Sequence, residues 1–192
     1  KIFMASAWDK DMIDWIDDYS KIYKVGSGDM TAYPILKEIA LKRKPIILST
    51  GLSSEQEVVE SVKYLQSIDS LYLNPNFLAV LQCTSMYPIS DSDANLNVIK
   101  RYKELFNVSI GYSDHTKGSE ALEYAYLVGA DILEFHFTDN RENKKFRDHK
   151  VSLTLDEVRL LSERINKINV FLGNREKKST DIEKKNNHHI SF

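Results

Sequence analysis

Short apolar runs alternate with amphipathic segments along this chain, and nearly every apolar run ends in hydroxyls, carboxylates or glycine. Residues 2–5, 22–25, 46–48 and 79–82, and the runs leading into Gly111 and Glu134, have the length and bounded composition of buried strands. Between them, apolar residues recur at helical spacing. Met12, Ile13, Trp15 and Ile16 predict a helix over 11–19, and Ile35, Leu36, Ile39 and Ala40 a second. Val58, Val59, Val62 and Leu65 follow a capping box read as Ser53 with Gln56. Leu96, Ile99, Leu105 and Phe106 give a fourth helix, and Ala121, Leu122, Ala125 and Val128 a fifth within 117–129. Thr154 with Glu157 caps the most regular one, which carries Val158, Leu161, Ile165, Ile168 and Leu172.

Six repeats of strand, polar strand end and helix argue for a parallel sheet covered by helices. In an open sheet, function gathers at one switch point, whereas in a (β/α)8 TIM barrel every strand's C-terminal end faces a shared site. Here all six ends are polar: Ser6 and Asp9, Ser27 and Asp29, Ser49 and Thr50, Thr84 and Ser85, Ser113 to His115, Glu134 to Thr138. That distribution favours an α/β barrel. A complete one needs about 250 residues, so the chain is expected to supply an incomplete TIM barrel, about strands three to eight, over 1–173. Residues 174–192 read as a polar, lysine-rich tail or truncated linker, with His188 and His189 solvated. The chain begins at Lys1 inside an apolar run, so upstream sequence is expected.

Composition narrows the function. The 192 residues are 42% hydrophobic and 28% charged, with a formal net charge of -2. No basic patch points to nucleic acid or an anionic membrane, and no run approaches the ~18 apolar residues of a span. The single cysteine, Cys83, excludes an internal disulfide and suits a reducing, cytoplasmic compartment. Cys83 itself reads as a packed strand residue rather than a nucleophile.

The chemistry is concentrated in two runs, Gly111-Tyr112-Ser113-Asp114-His115-Thr116 and Leu133-Glu134-Phe135-His136-Phe137-Thr138. They flank one strand-helix-strand unit, so His115 and His136 stand at adjacent strand ends, where paired imidazoles suit one divalent ion. Ser27, Ser49 and Ser113 either line a site or cap the following helices. Lys24 lies inside an apolar run, where an unpaired ammonium is costly. Tyr87-Pro88 reads as a turn.

Five runs in order, Tyr23 to Asp29, Ile47 to Gly51, Cys83 to Pro88, Gly111 to Thr116 and Glu134 to Thr138, resemble the N-acetylneuraminate (sialic acid) synthase family. The resemblance covers roughly Ile2 to Gly173. It implies condensation of phosphoenolpyruvate with N-acetylmannosamine or a related amino-sugar aldehyde, giving a nine-carbon 2-keto sugar acid and phosphate. It also implies a divalent manganese or magnesium ion and a domain-swapped homodimer completed by a C-terminal antifreeze-like domain. Position by position, it assigns His115 and His136 to metal, and Lys24, Ser27, Ser49 and Ser113 to the phosphate and carboxylate of phosphoenolpyruvate. Ser6 stands where the family has threonine, Tyr87 matches a site tyrosine, and Ser85 stands where many members have asparagine. Asp148, in Phe146-Arg147-Asp148-His149, corresponds to an aspartate near the sugar. Two rivals are a metal-dependent aldolase on the same barrel and an inactive remnant with two open edges.

Overall fold

The structure, a computed structural model, describes residues 1–186; His188 and His189 lie outside them. Among the described residues, one sheet holds six strands in chain order, each parallel to the next. They are β1 (Met4–Ala5), β2 (Ile22–Val25), β3 (Ile46–Ser49), β4 (Leu78–Cys83), β5 (Ser109–Ser113) and β6 (Ile132–Glu134). The connecting helices are α1 (Lys10–Ile16), α2 (Tyr33–Leu41), α3 (Glu55–Ile68), α4 (Asn97–Leu105) and α5 (Glu120–Leu127). After β6 come the long α6 (Leu155–Leu172) and, in the polar segment, the exposed α7 (Asp181–Asn186).

Each strand presents alternate residues to two environments. Tyr23, Val25, Ile46, Leu48, Leu78, Val80, Ile110 and Tyr112 are buried in one core cluster with Leu36 and Ile39 of α2, Val58, Val62 and Leu65 of α3, and Ile99 of α4. The opposite face carries Lys24, Ile47, Leu81 and Glu134, which line a common cavity. In a flat sheet, β2 and β6 would lie roughly 19 Å apart, four strand spacings of about 4.8 Å. Yet the Lys24 ammonium sits 3.3 Å from the Glu134 carboxylate. The sheet therefore curls into a half-barrel with those side chains near its axis. Gly111 permits the curl, because a Cβ there would come within 2.4 Å of Leu81 Cδ2 and 2.5 Å of the Ile132 carbonyl oxygen.

Three local readings change. The capping box of α3 is Ser54 with Glu57, one position later than Ser53 with Gln56, and Glu57 reaches back to the Ser54 backbone at 2.7 Å. Ser53 and Ser54 both fit such a signal by sequence; backbone geometry selects the second. The first strand shortens to two residues because β1 has one neighbour, and α1 ends at Ile16. The Thr154–Glu157 box stands as read, reinforced by Arg141, which binds the Glu157 carboxylate at 3.0 Å and 2.5 Å.

Candidate functional site

The C-terminal ends of β2 to β6 enclose a cavity of about 450 Å³. Its lining includes Lys24, Ser27, Ser49, Ser85, Tyr87, Ser113, His115 and His136 of the residues singled out by sequence. At its deep end, Lys24 Nζ donates to Ser49 Oγ at 2.8 Å and pairs with Glu134, while Ser49 Oγ lies 3.4 Å from the other Glu134 oxygen. Ser27 Oγ accepts from the Gly51 amide at 3.0 Å. Gly51 has no room for a side chain, since a Cβ would meet Ser85 Oγ at 2.2 Å and Ser27 Oγ at 2.8 Å. The capping reading of the three serines fails: the N-cap positions of the turn after β2, of α3 and of α5 are Gly26, Ser54 and Ser119. All three serines line the cavity instead.

At the other end, His115 follows β5 and is held by its neighbours. Asp114 is buried and fully engaged, accepting from the Tyr112 hydroxyl at 3.0 Å and from the Thr116 amide and hydroxyl at 2.9 Å and 3.0 Å. His115 Nδ1 lies 2.7 Å from the Thr84 carbonyl oxygen. A carbonyl only accepts, so Nδ1 carries the proton and Nε2 keeps its lone pair. Burial, assisted by the His136 ring, pushes the His115 pKa below its ordinary value, against the raising effect of that carbonyl. The ring is neutral at pH 7. His136 follows β6, its ring centroid 5.2 Å from that of His115, and its Nδ1 lies 3.6 Å from Asp148 Oδ2. Tyr87, in a loop after β4, packs on both rings, with centroids 4.0 Å from His115 and 5.4 Å from His136.

The loop bearing Asp148 is anchored to the end of β6. The Leu153 amide donates to the His136 carbonyl at 2.7 Å, and the Thr138 amide to the Leu153 carbonyl at 3.0 Å. Asp148 stands behind His136 rather than in the cavity lining, with Oδ1 buried and without a hydrogen bond. Ser6 is the outlier: it is exposed beyond edge strand β1 and does not line the cavity. Cys83 lies on the cavity wall with its thiol 3.8 Å from His115 Nδ1, and burial pushes its pKa up, which keeps it protonated.

Sequence reading missed the site roles of two charged lining residues, Glu134 and Arg147. Glu134 was visible as a polar strand end, but its partnership with Lys24 depends on the curl of the sheet. Arg147, whose guanidinium lies 4.6 Å from the Tyr87 ring centroid, comes from a loop with no periodic signal.

The two imidazoles suit a shared divalent ion chemically, because His115 offers an unprotonated nitrogen and a carboxylate stands behind His136, the usual support of a ligating histidine. Among the described residues no group of three or more His, Cys, Asp or Glu is gathered for a metal. Such an ion would draw its other donors from water and substrate, as manganese and magnesium do.

Comparison with known proteins bears on this arrangement. A family model described as the NeuB family matches residues 2–177. The N,N'-diacetyllegionaminic acid synthase of Campylobacter jejuni is 35% identical over 185 residues, covering 96% of this chain and 54% of that protein. The N-acetylneuraminate-9-phosphate synthase of Mus musculus is 36% identical over 173 residues, covering 89% of this chain and 46% of that protein. The crystal structure of an N-acetylneuraminic acid (sialic acid) synthetase from Leptospira borgpetersenii superposes with a TM-score of 0.86 at 28% identity, covering 98% of this chain and 64% of that one. The chain spans about half the length of these curated relatives.

Proposed function

Because the chain belongs to the NeuB family, we propose that it forms the catalytic barrel of a nonulosonic acid synthase, its six strands being the third to eighth of the barrel. In this reading C3 of phosphoenolpyruvate bonds to the aldehyde carbon of N-acetylmannosamine or a related amino-sugar, whose carbonyl oxygen becomes a hydroxyl; one water adds at C2, and phosphate leaves to give the 2-keto acid. The observation that carries it is the gathering of Lys24, Ser27, Ser49 and Ser113 with His115 and His136 in one cavity. Hydroxyl and ammonium donors at one end suit a phosphate and a carboxylate, and paired imidazoles at the other suit a carbonyl electrophile.

Lys24 supplies the positive charge for the anion, and Glu134 holds that ammonium toward the cavity axis. Ser27, Ser49 and Ser113 donate hydroxyl hydrogens to the same anion, which fixes C3 of phosphoenolpyruvate toward the histidines. His115 and His136 would hold manganese or magnesium, which when bound supplies polarisation of the aldehyde carbonyl. Tyr87 packs against both rings and limits how far they can swing. Asp148 orients His136 and stands near the sugar. The proposal extends to a homodimer acting in the cytoplasm, consistent with the lone cysteine; no described helix is long and apolar enough to cross a membrane.

The test is phosphate release from phosphoenolpyruvate, measured with and without an N-acetylhexosamine aldehyde and with and without divalent metal. Release that requires both aldehyde and metal is the expected result. Borohydride trapping of the aldehyde on Lys24, with no phosphate released, would replace this reading by a Schiff-base aldolase.

A further inference from the structure

The cavity's fixed charges are unevenly engaged. Lys24, deep in the half-barrel and with its side chain 12% exposed, is already matched by Glu134 at 3.3 Å and Ser49 at 2.8 Å. Arg147 is the other lining cation, and its side chain is 66% exposed at the rim. Among the described residues its guanidinium touches two groups. The Tyr87 ring lies beneath it at 4.6 Å, and Asp148 Oδ1 approaches its Nε at 3.6 Å, beyond hydrogen-bonding range for a charged pair. The stacking on Tyr87 uses the flat face of the guanidinium and leaves its edge, where the N–H donors point, for a ligand. Tyr87 in turn packs on both histidines, so Arg147 is positioned by the same residue that frames the reacting end.

Resting on the function proposed above, the geometry points to Arg147 as a specificity-determining residue that selects an acceptor aldehyde carrying an anionic group, phosphate or carboxylate, at the end remote from its aldehyde. The aldehyde must lie inward, between the histidines and the anion held by Lys24 and the serines, so the far end of the sugar emerges at the rim where Arg147 stands. A planar guanidinium edge matches the paired oxygens of either anion. Asp148, one residue along, leaves the N–H donors of Arg147 uncommitted, because its Oδ1 lies 3.6 Å from Nε and makes no hydrogen bond.

The experiment compares N-acetylmannosamine, its 6-phosphate and its 6-carboxylate analogue as acceptors for the full chain, Arg147→Ala and Arg147→Lys. The two anionic sugars distinguish phosphate from carboxylate as the preferred group. The wild type is expected to favour at least one of them over the neutral sugar in kcat/KM. Arg147→Ala should lower that preference about 10- to 100-fold, the loss of one charge-assisted hydrogen-bonding group. Arg147→Lys should retain part of it, and raising the salt concentration should erode it in the wild type more than in Arg147→Ala. A ratio unchanged by Arg147→Ala, or a wild type that prefers the neutral sugar, overturns the assignment. Calorimetric binding of the same three sugars separates this failure from that of the proposed function. Tighter wild-type binding of an anionic sugar, lost in Arg147→Ala, upholds the Arg147 assignment even if no condensation occurs, and equal binding of all three sugars sinks it.

Discussion

The interior strands and the first edge of this half-barrel are built from similar residues and end up in opposite states. Between β2 and β5 each strand has a neighbour on both sides, and Leu48, Val80, Ile110 and Tyr112 are fully buried. At the β1 edge, Phe3, Met4, Trp8 and Trp15 are exposed, and Phe3, Trp15, Ile16 and Tyr19 line an apolar groove. The same contrast holds for chemistry. Ser49 and Ser113, on strands with two neighbours, line a shared cavity; Ser6, after an edge strand, is exposed. Hydrophobic sequence therefore supplies the tendency to bury, but packing against the rest of the fold decides where it is realised: β6 has one strand neighbour as β1 does, yet Glu134 and His136 at its end line the cavity, where the loop bearing Asp148 closes over them.

The largest effects should come from the formed site. On the synthase function proposed above, replacing His115 or His136 by Ala is expected to reduce condensation by about 100-fold or more, while phosphoenolpyruvate affinity falls far less, because that proposal gives the anion to Lys24 and the serines separately. Lys24→Ala should show the reverse pattern. Paired titrations with metal and with phosphoenolpyruvate, run beside turnover, check both; equal losses of both affinities in every variant would mean the two ends are not independent.

Next comes the curl that brings those ends together. Gly111→Ala should destabilise the fold by about 1–3 kcal/mol, since the added methyl overlaps Leu81 and the Ile132 backbone. Urea unfolding would read this directly. A neutral substitution would show that the sheet can flatten there without cost.

A smaller effect attaches to the anchor of the Asp148 loop. Arg141 holds the Glu157 carboxyl below its ordinary pKa of 4.5, opposed by partial burial and helped by Thr154. A carboxylate with a depressed folded pKa adds stability that is present above 4.5 and is lost as pH falls through the lower folded value. Thermal unfolding of Glu157→Gln should accordingly converge on the wild type in acid and fall below it near neutrality. Parallel curves would remove this pair from the account.

Least is expected, in stability, from the edge. Trp15→Ser should change unfolding free energy by no more than about 0.5 kcal/mol, because Trp15 is 68% exposed. It should nevertheless reduce self-association, seen by light scattering, since it removes part of an exposed apolar surface. A wild-type chain that runs as a clean monomer would break the comparison at its weaker side.

The sequence alone determined the order and type of the elements from β1 to α6, because helical and strand periodicities are local properties of the chain; the short polar α7, without such a periodicity, read as tail. It also determined that polar groups gather at strand ends, since each end is a few consecutive residues. Ser54 in place of Ser53 as the α3 cap shows the limit of that locality, as two adjacent serines offer the same signal and backbone geometry picks one. What only the tertiary structure decided is which ends meet. The Lys24–Glu134 pair and the seat of Arg147 on Tyr87 both follow from the curl of the sheet. Curl is the summed twist of many strand pairings and the close approach allowed at Gly111, a sum over the whole sheet that no single stretch of chain contains.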